Sequence, residues 1–197
     1  MTLGIDYAGG RPSGADIAAA GYSFVCRYMS NGGPELPGKL LLPQEVVDLH
    51  TNGISIVLNW ETTGTSALGG YDAGVQDALG AVQTGIRIGS PIGSVVYFSV
   101  DFDATPQDQA AINDYFRGVN SIIGVTATGI YGGYWPVSRA LDAGVVTWAW
   151  QTQAWSGGNQ DPRINILQNN NAGYAWIDGV ECDQDFALTA NFGQWEP

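Results

Sequence analysis

The sequence predicts an α/β fold, a TIM-like parallel barrel of about five βα units followed by three strands with little helix. Three observations predict it. Eight short apolar segments rich in β-branched and aromatic residues recur along the chain. Each of the first five is followed by a helix signal, and alternating β and α implies a parallel sheet. Beyond the sixth, the connections are polar and rich in Gly, Asn and Gln. A chain of 197 residues suits one domain spanning residues 1–197. A full eightfold βα barrel takes about 250 residues, and the missing late helices account for the shortfall.

The strands are expected at Leu3–Asp6, Ser23–Tyr28, Ile54–Trp60, Ser94–Asp101, Thr128–Tyr131, Val146–Gln151, Ile164–Gln168 and Gly179–Asp183. Ser13 can cap a first helix over Gly14–Ala20, which stops at Gly21. Pro43 suits the first turn of a helix over Gln44–Thr51, ended by Asn52-Gly53. A third, over Tyr71–Thr84, carries Val75, Leu79 and Val82 at helical spacing. Thr105-Pro106 opens a fourth, with Ile112, Phe116, Val119 and Ile123 on one face and Gly124 after it. The fifth spans Tyr134–Ala143. Gln153–Arg163 and Asn169–Asp178 read as loops.

Composition excludes several classes. The formal net charge is −12, from 19 acids against 7 bases, a field that repels phosphate backbones and argues against nucleic acid. No run of 18 apolar residues is present, so no membrane span is expected. The segment MTLGIDYAGG shows no basic stretch followed by an apolar run, so no secretory signal is visible. Cys26 and Cys182 fall on strands flanking the first, roughly 9–10 Å apart, beyond easy disulfide reach, and are expected as free thiols. His50 is the single His, which removes Ser-His-Asp and multi-His metal sites. No metal or cofactor is expected, and the chain is expected to be a monomer.

Parallel barrels place their sites at the C-terminal ends of the strands. Acids concentrate there: Asp6, Glu61, Asp101 with Asp103, and Asp183 with Asp185. Asp101 and Asp103 are two apart, so on a strand they share a face, roughly 6–7 Å apart. Crowded carboxylates repel, which raises at least one pKa and lets one group stay protonated while another is charged. Cleavage of a glycosidic bond requires such a pair. Arg27, Tyr28, Trp60, Tyr131, Gln151, Trp155 and Gln168 also fall at or near strand ends. Flat rings stack on sugar faces, and amides bond to hydroxyls. The catalytic candidates are thus Asp6, Glu61, Asp101, Asp103 and Asp183. The substrate-binding candidates are Arg27, Tyr28, Trp60, Tyr131, Gln151, Trp155, Gln168 and Asp185. Each has a plainer reading: Arg27 as a partner for an acid, Asp185 as a cap for the C-terminal segment, the aromatics as core. VDFDAT also fits the D-x-D-x-T of haloacid-dehalogenase phosphatases, but these need a downstream Lys, and the single Lys, Lys39, lies upstream.

GIDYAGG at the start, YFSVDFDAT, WQTQAWSGG and the closing ECDQD together resemble the DUF1906 glycoside-hydrolase-like domains of actinobacterial secreted proteins and phage lysins. These are related to the family 25 glycoside hydrolases, the Chalaropsis-type lysozymes, and the resemblance spans nearly the whole chain. It implies a barrel of five βα units and three further strands. It also implies action on the glycan strands of peptidoglycan, as a lysin released at lysis or a secreted protein whose signal has been removed. Asp6, Asp101 and Asp183 match the family 25 acids on strands 1, 4 and 8. Asp103 stands where that family has its catalytic Glu, so either Asp103 is the acid or Glu61 replaces it. A non-hydrolytic cell-wall glycan-binding barrel is the alternative, and a structural module of a larger assembly a third.

Overall fold

The computed structural model describes residues 2–32, 35–36 and 38–197. Seven strands run parallel: β1 (Thr2–Asp6), β2 (Phe24–Tyr28), β3 (Ser55–Trp60), β4 (Val96–Val100), β5 (Thr128–Gly132), β6 (Trp148–Thr152) and β7 (Ile166–Gln168). The barrel is closed by β9 (Val180–Ala187), which pairs with both β1 and β7 and runs antiparallel to each. The eighth barrel strand is therefore reversed relative to the all-parallel expectation. The cause is the connection: β7 is followed by a single 3-10 turn (Asn170–Ala172) and no α-helix, so the chain stays at the mouth. There β8 (Ala175–Ile177) forms a hairpin with the start of β9, and the chain then descends. Asp178 and Gly179 form the hairpin turn with φ of 50° and 73°, the left-handed pair a tight primed turn requires.

The helices are α1 (Gly14–Ala19), α2 (Pro43–Thr51), α3 (Gly70–Ile88), α4 (Gln109–Ile123) and α5 (Tyr134–Asp142). Ser13 caps α1 by accepting from the Asp16 amide at 3.1 Å. Helix α3 passes through Gly85 and stops at Gly89, whose φ of 77° ends it. Its buried face is not Val75, Leu79 and Val82 but the small residues Gly74, Ala78, Ala81 and Gly85, with Ile88. Leu79 and Val82 remain exposed. Small residues win because α3 lies close against α4: a Cβ on Gly74 would sit 2.0 Å from the Tyr115 carbonyl oxygen, and one on Gly118 2.1 Å from that of Tyr71. Ile112, Phe116 and Val119 of α4 are buried as the spacing predicts.

Strand parity divides the side chains. Cys26, Val57, Tyr97, Tyr131, Trp150, Ile166 and Ala187 fill the barrel, with Phe24 and Phe192 packed at 4.8 Å. The alternate residues meet the helices. Cys26 lies in the inner cluster and Cys182 in the outer, and both are free thiols.

Candidate active-site cleft

A cleft of about 290 Å³ opens at the mouth of the barrel, where the parallel strands end. Its lining includes Asp6, Glu61, Asp101 and Asp183, from β1, the β3 and β4 exits, and β9. A second hollow of about 420 Å³ adjoins it across Asp6, Tyr28, Leu36 and Asp183 and reaches Glu181. Four of the five expected acids therefore share one open cleft.

Asp6 stands at its floor, 4% exposed. Gln168 Nε2 donates to its Oδ2 at 2.7 Å and Tyr28 Oη to its Oδ1 at 3.3 Å. Tyr131 Oη donates in turn to Gln168 Oε1 at 2.9 Å, so Tyr131, Gln168, Asp6 and Tyr28 form one chain. Burial, and then the carboxylate of Asp183 opposite it, push the Asp6 pKa up to about 7. Burial, and then Glu61, raise Asp101 to about 6, against the pull of Lys39. Asp183 is raised by burial and by Glu181. Glu61 is fixed at both ends: Lys39 Nζ pairs with its Oε1 at 2.9 Å, and Ser30 Oγ donates to its carbonyl. Lys39 also lies 4.9 Å from the centre of the Tyr28 ring.

The rim is aromatic and polar. Trp155 and Tyr174 line the cleft and are 40% and 59% exposed. Trp155 has a φ of 55°, a conformation costly for a bulky residue and held here by its loop. Thr152 Oγ1 donates to Asn170 Oδ1 at 2.8 Å, and that oxygen also takes the Ala154 amide at 3.2 Å, so Asn170 ties the two loops of the rim together.

Five expected site residues lie elsewhere, most for reasons of strand parity. Asp103 is exposed and does not line the cleft, because β4 ends at Val100 and the chain turns away after Asp101, whose amide bonds Gly64. It is therefore not paired with Asp101 on one strand face. Arg27 follows inward Cys26 and so points outward. It is fully buried against α2, with Nε 2.7 Å from Glu45 Oε1. It also donates to the carbonyls of Tyr7 and Gly38 and lies 4.1 Å from the Tyr7 ring centre. Trp60 follows inward Asn59 and packs beneath α3, where a Cβ on Gly80 would lie 2.4 Å from its ring. Gln151 also points outward and clamps the loop that carries Trp155. Its Nε2 donates to the Asn159 carbonyl at 2.9 Å, and its Oε1 accepts the Asp161 amide at 3.0 Å. Asp185 does not cap the C-terminal segment. Because β9 descends, it lies one step below Asp183, fully buried inside the barrel.

Sequence reasoning passed over Lys39, Tyr174, Asn170 and Thr152. Tyr174 carried the same signal as Trp155, an aromatic in a polar loop at the mouth. Among the described residues no cluster of His, Cys, Asp and Glu suits a metal ion, and no helix is long and apolar enough to cross a membrane.

A closed α/β barrel with acids gathered among aromatic side chains at its strand ends is the arrangement of a glycoside-hydrolase-like protein. The chain belongs to the Rv2525c-like, glycoside hydrolase-like domain family, whose model matches residues 15–187. It is 32% identical to Rv2525c of Mycobacterium tuberculosis, provisionally named a peptidoglycan hydrolase, over 97% of this chain and 82% of that one. The crystal structure of that Tat-secreted protein with L-tartrate superposes with a TM-score of 0.91, at 30% identity and 98% coverage of both chains. GHIP of Streptococcus pneumoniae, a glycosyl hydrolase 25, shares the fold with a TM-score of 0.64. It is 15% identical, over 96% of this chain and 88% of that one.

Proposed function

We propose that the protein hydrolyses the glycan strands of peptidoglycan, at the cell wall, with the carboxyl groups of the mouth cleft as its chemical groups. The observation that carries this reading is the convergence of Asp6, Glu61, Asp101 and Asp183 on one open cleft with aromatic side chains at its rim. Asp101 is the general acid. Its pKa of about 6 keeps a protonated fraction available to the leaving oxygen at mildly acid pH. Asp183, facing Asp6 across β1 and β9, balances positive charge developing on the sugar ring or orients the attacking water, and Asp6 joins it in its ionised fraction. Trp155 and Tyr174 stack on the saccharide. The name of the mycobacterial relative and its secretion support action on the wall.

A second reading, a glycan-binding barrel without turnover, draws on Asp103: the residue that the motif resemblance matches to the family 25 Glu is exposed, outside the cleft. Incubation with purified peptidoglycan, followed by mass spectrometry of released glycans, separates the two. Hydrolysis gives new reducing ends that accumulate with time and fall about 10²–10⁴-fold in Asp101→Asn. Saccharide binding with no product supports the second reading, and undiminished product from Asp101→Asn rejects the site.

A further inference from the structure

Asp185 is buried without solvent exposure inside the barrel, opposite Gly4 of β1 and Gln168 of β7. Its Oδ1 accepts from Trp150 Nε1 at 2.9 Å, while its Oδ2 is buried and has no hydrogen-bond partner among the described residues, and the Cys26 thiol faces the same carboxyl. The titratable groups that face it are Asp6 from β1, Cys26 from β2, Tyr131 from β5 and Asp183 from its own strand. None of them is a base. Arg27 and Lys39, the buried cations among the described residues, are engaged by Glu45 and Glu61. A carboxylate stripped of water with no counter-ion costs several kcal/mol, whereas a neutral acid costs far less and carries a donor of its own. Asp6, which titrates near 7 and is partly ionised at that pH, accepts from Gln168 and Tyr28, and these donors favour its charged form.

We infer that Asp185 is a neutral carboxylic acid at pH 7, with its proton on Oδ2 and donated to Asp6, and that it is the positioning residue holding Asp6 from beneath. This rests on the proposed function only in giving Asp6 a substrate to act on. The oxygen that looks orphaned as an acceptor is then satisfied as a donor. Burial, and then the charge of Asp6, raise the Asp185 pKa well above the ordinary carboxylate range, which agrees.

The test is a carbon-detected NMR titration of the side-chain carboxyls in the wild type, Asp185→Asn and Asp185→Leu. It needs no substrate, so its outcome is independent of whether the protein cleaves glycans. An asparagine keeps the acceptor for Trp150 and an N–H donor for Asp6, with no charge. The Asp6 midpoint therefore stays within about one pH unit of the wild type in Asp185→Asn. It rises in Asp185→Leu, which removes the donor. In the wild type the Asp185 carbon resonance shows no deprotonation step of its own between pH 4 and 8, only the small shift that follows Asp6. A fall of more than about one unit at Asp6 in Asp185→Asn would mean a charge had been removed, and would overturn the proposal. So would a wild-type Asp185 titrating near pH 4. If the leucine variant does not fold, the wild type and asparagine variant decide the matter.

Discussion

Replacing Glu45 by Gln tests whether Arg27 belongs to the scaffold rather than to a substrate. The Arg27 guanidinium has no exposure and is 2.7 Å from Glu45 Oε1 and 3.4 Å from Oε2. Its other partners are two backbone carbonyls and the Tyr7 ring. Removing one partner of a buried ion pair costs about 3–5 kcal/mol, because the other charge is left uncompensated. A glutamine still offers one acceptor and the carbonyls remain, which places the loss near the lower figure, about 3 kcal/mol. For a chain of this length that lowers Tm by about 6–12 °C. Urea unfolding at pH 7 measures it, with Arg11→Ala as the control. Arg11 pairs with the same Glu45 from a side chain 31% exposed, and its loss costs under about 1 kcal/mol. The double change Arg27→Met with Glu45→Leu comes close to neutral, since it leaves no orphaned charge. A loss below about 1 kcal/mol in Glu45→Gln would mean that Arg27 does not depend on this ion pair, and would leave it free for a ligand.

Stability falls as pH rises from about 4 to about 7. Asp6 and Asp101 titrate near 7 and 6 in the folded protein against 3.8 when unfolded, so the folded state binds more protons across that window. Asp161, held down to about 2 by its bonds from Arg163, acts oppositely: its contribution is present above pH 4 and is lost as pH falls through 2. Thermal melts from pH 2 to 8 check both, and Asp101→Asn flattens the upper limb. Trp155→Ala and Tyr174→Ala each weaken saccharide binding by about tenfold or more in calorimetry, the loss expected for an aromatic anchor, with the urea midpoint little changed. Gly74→Ala drives a methyl group into the Tyr115 carbonyl and costs about 1–3 kcal/mol in urea unfolding.

The barrel was readable in the sequence because most strands are short apolar runs bounded by Gly and Asn, and the acids at their ends stood out in a chain with few charges. The direction of the last strand was also encoded, in Asp178-Gly179 between AWI and VEC, a hairpin signature hidden inside a segment rich in polar residues. Strand parity was available too: Phe24, Cys26 and Tyr28 alternate with Val25 and Arg27, which sends Arg27 outward. Asp103 misled because the chain leaves the strand at Val100, and nothing in VDFD marks that departure. The ion pair of Arg27 with Glu45 and the placing of Lys39 beside Glu61 join residues 18 and 22 positions apart across different elements, and only the closed barrel brings them together.

Chemical-shift mapping of the labelled protein with a soluble peptidoglycan glycan fragment tests whether the mouth cleft holds the saccharide. Shifts are expected to concentrate at Tyr28, Asp101, Trp155, Tyr174 and Asp183 around the mouth. Shifts confined to another face, or none at millimolar fragment, would contradict this.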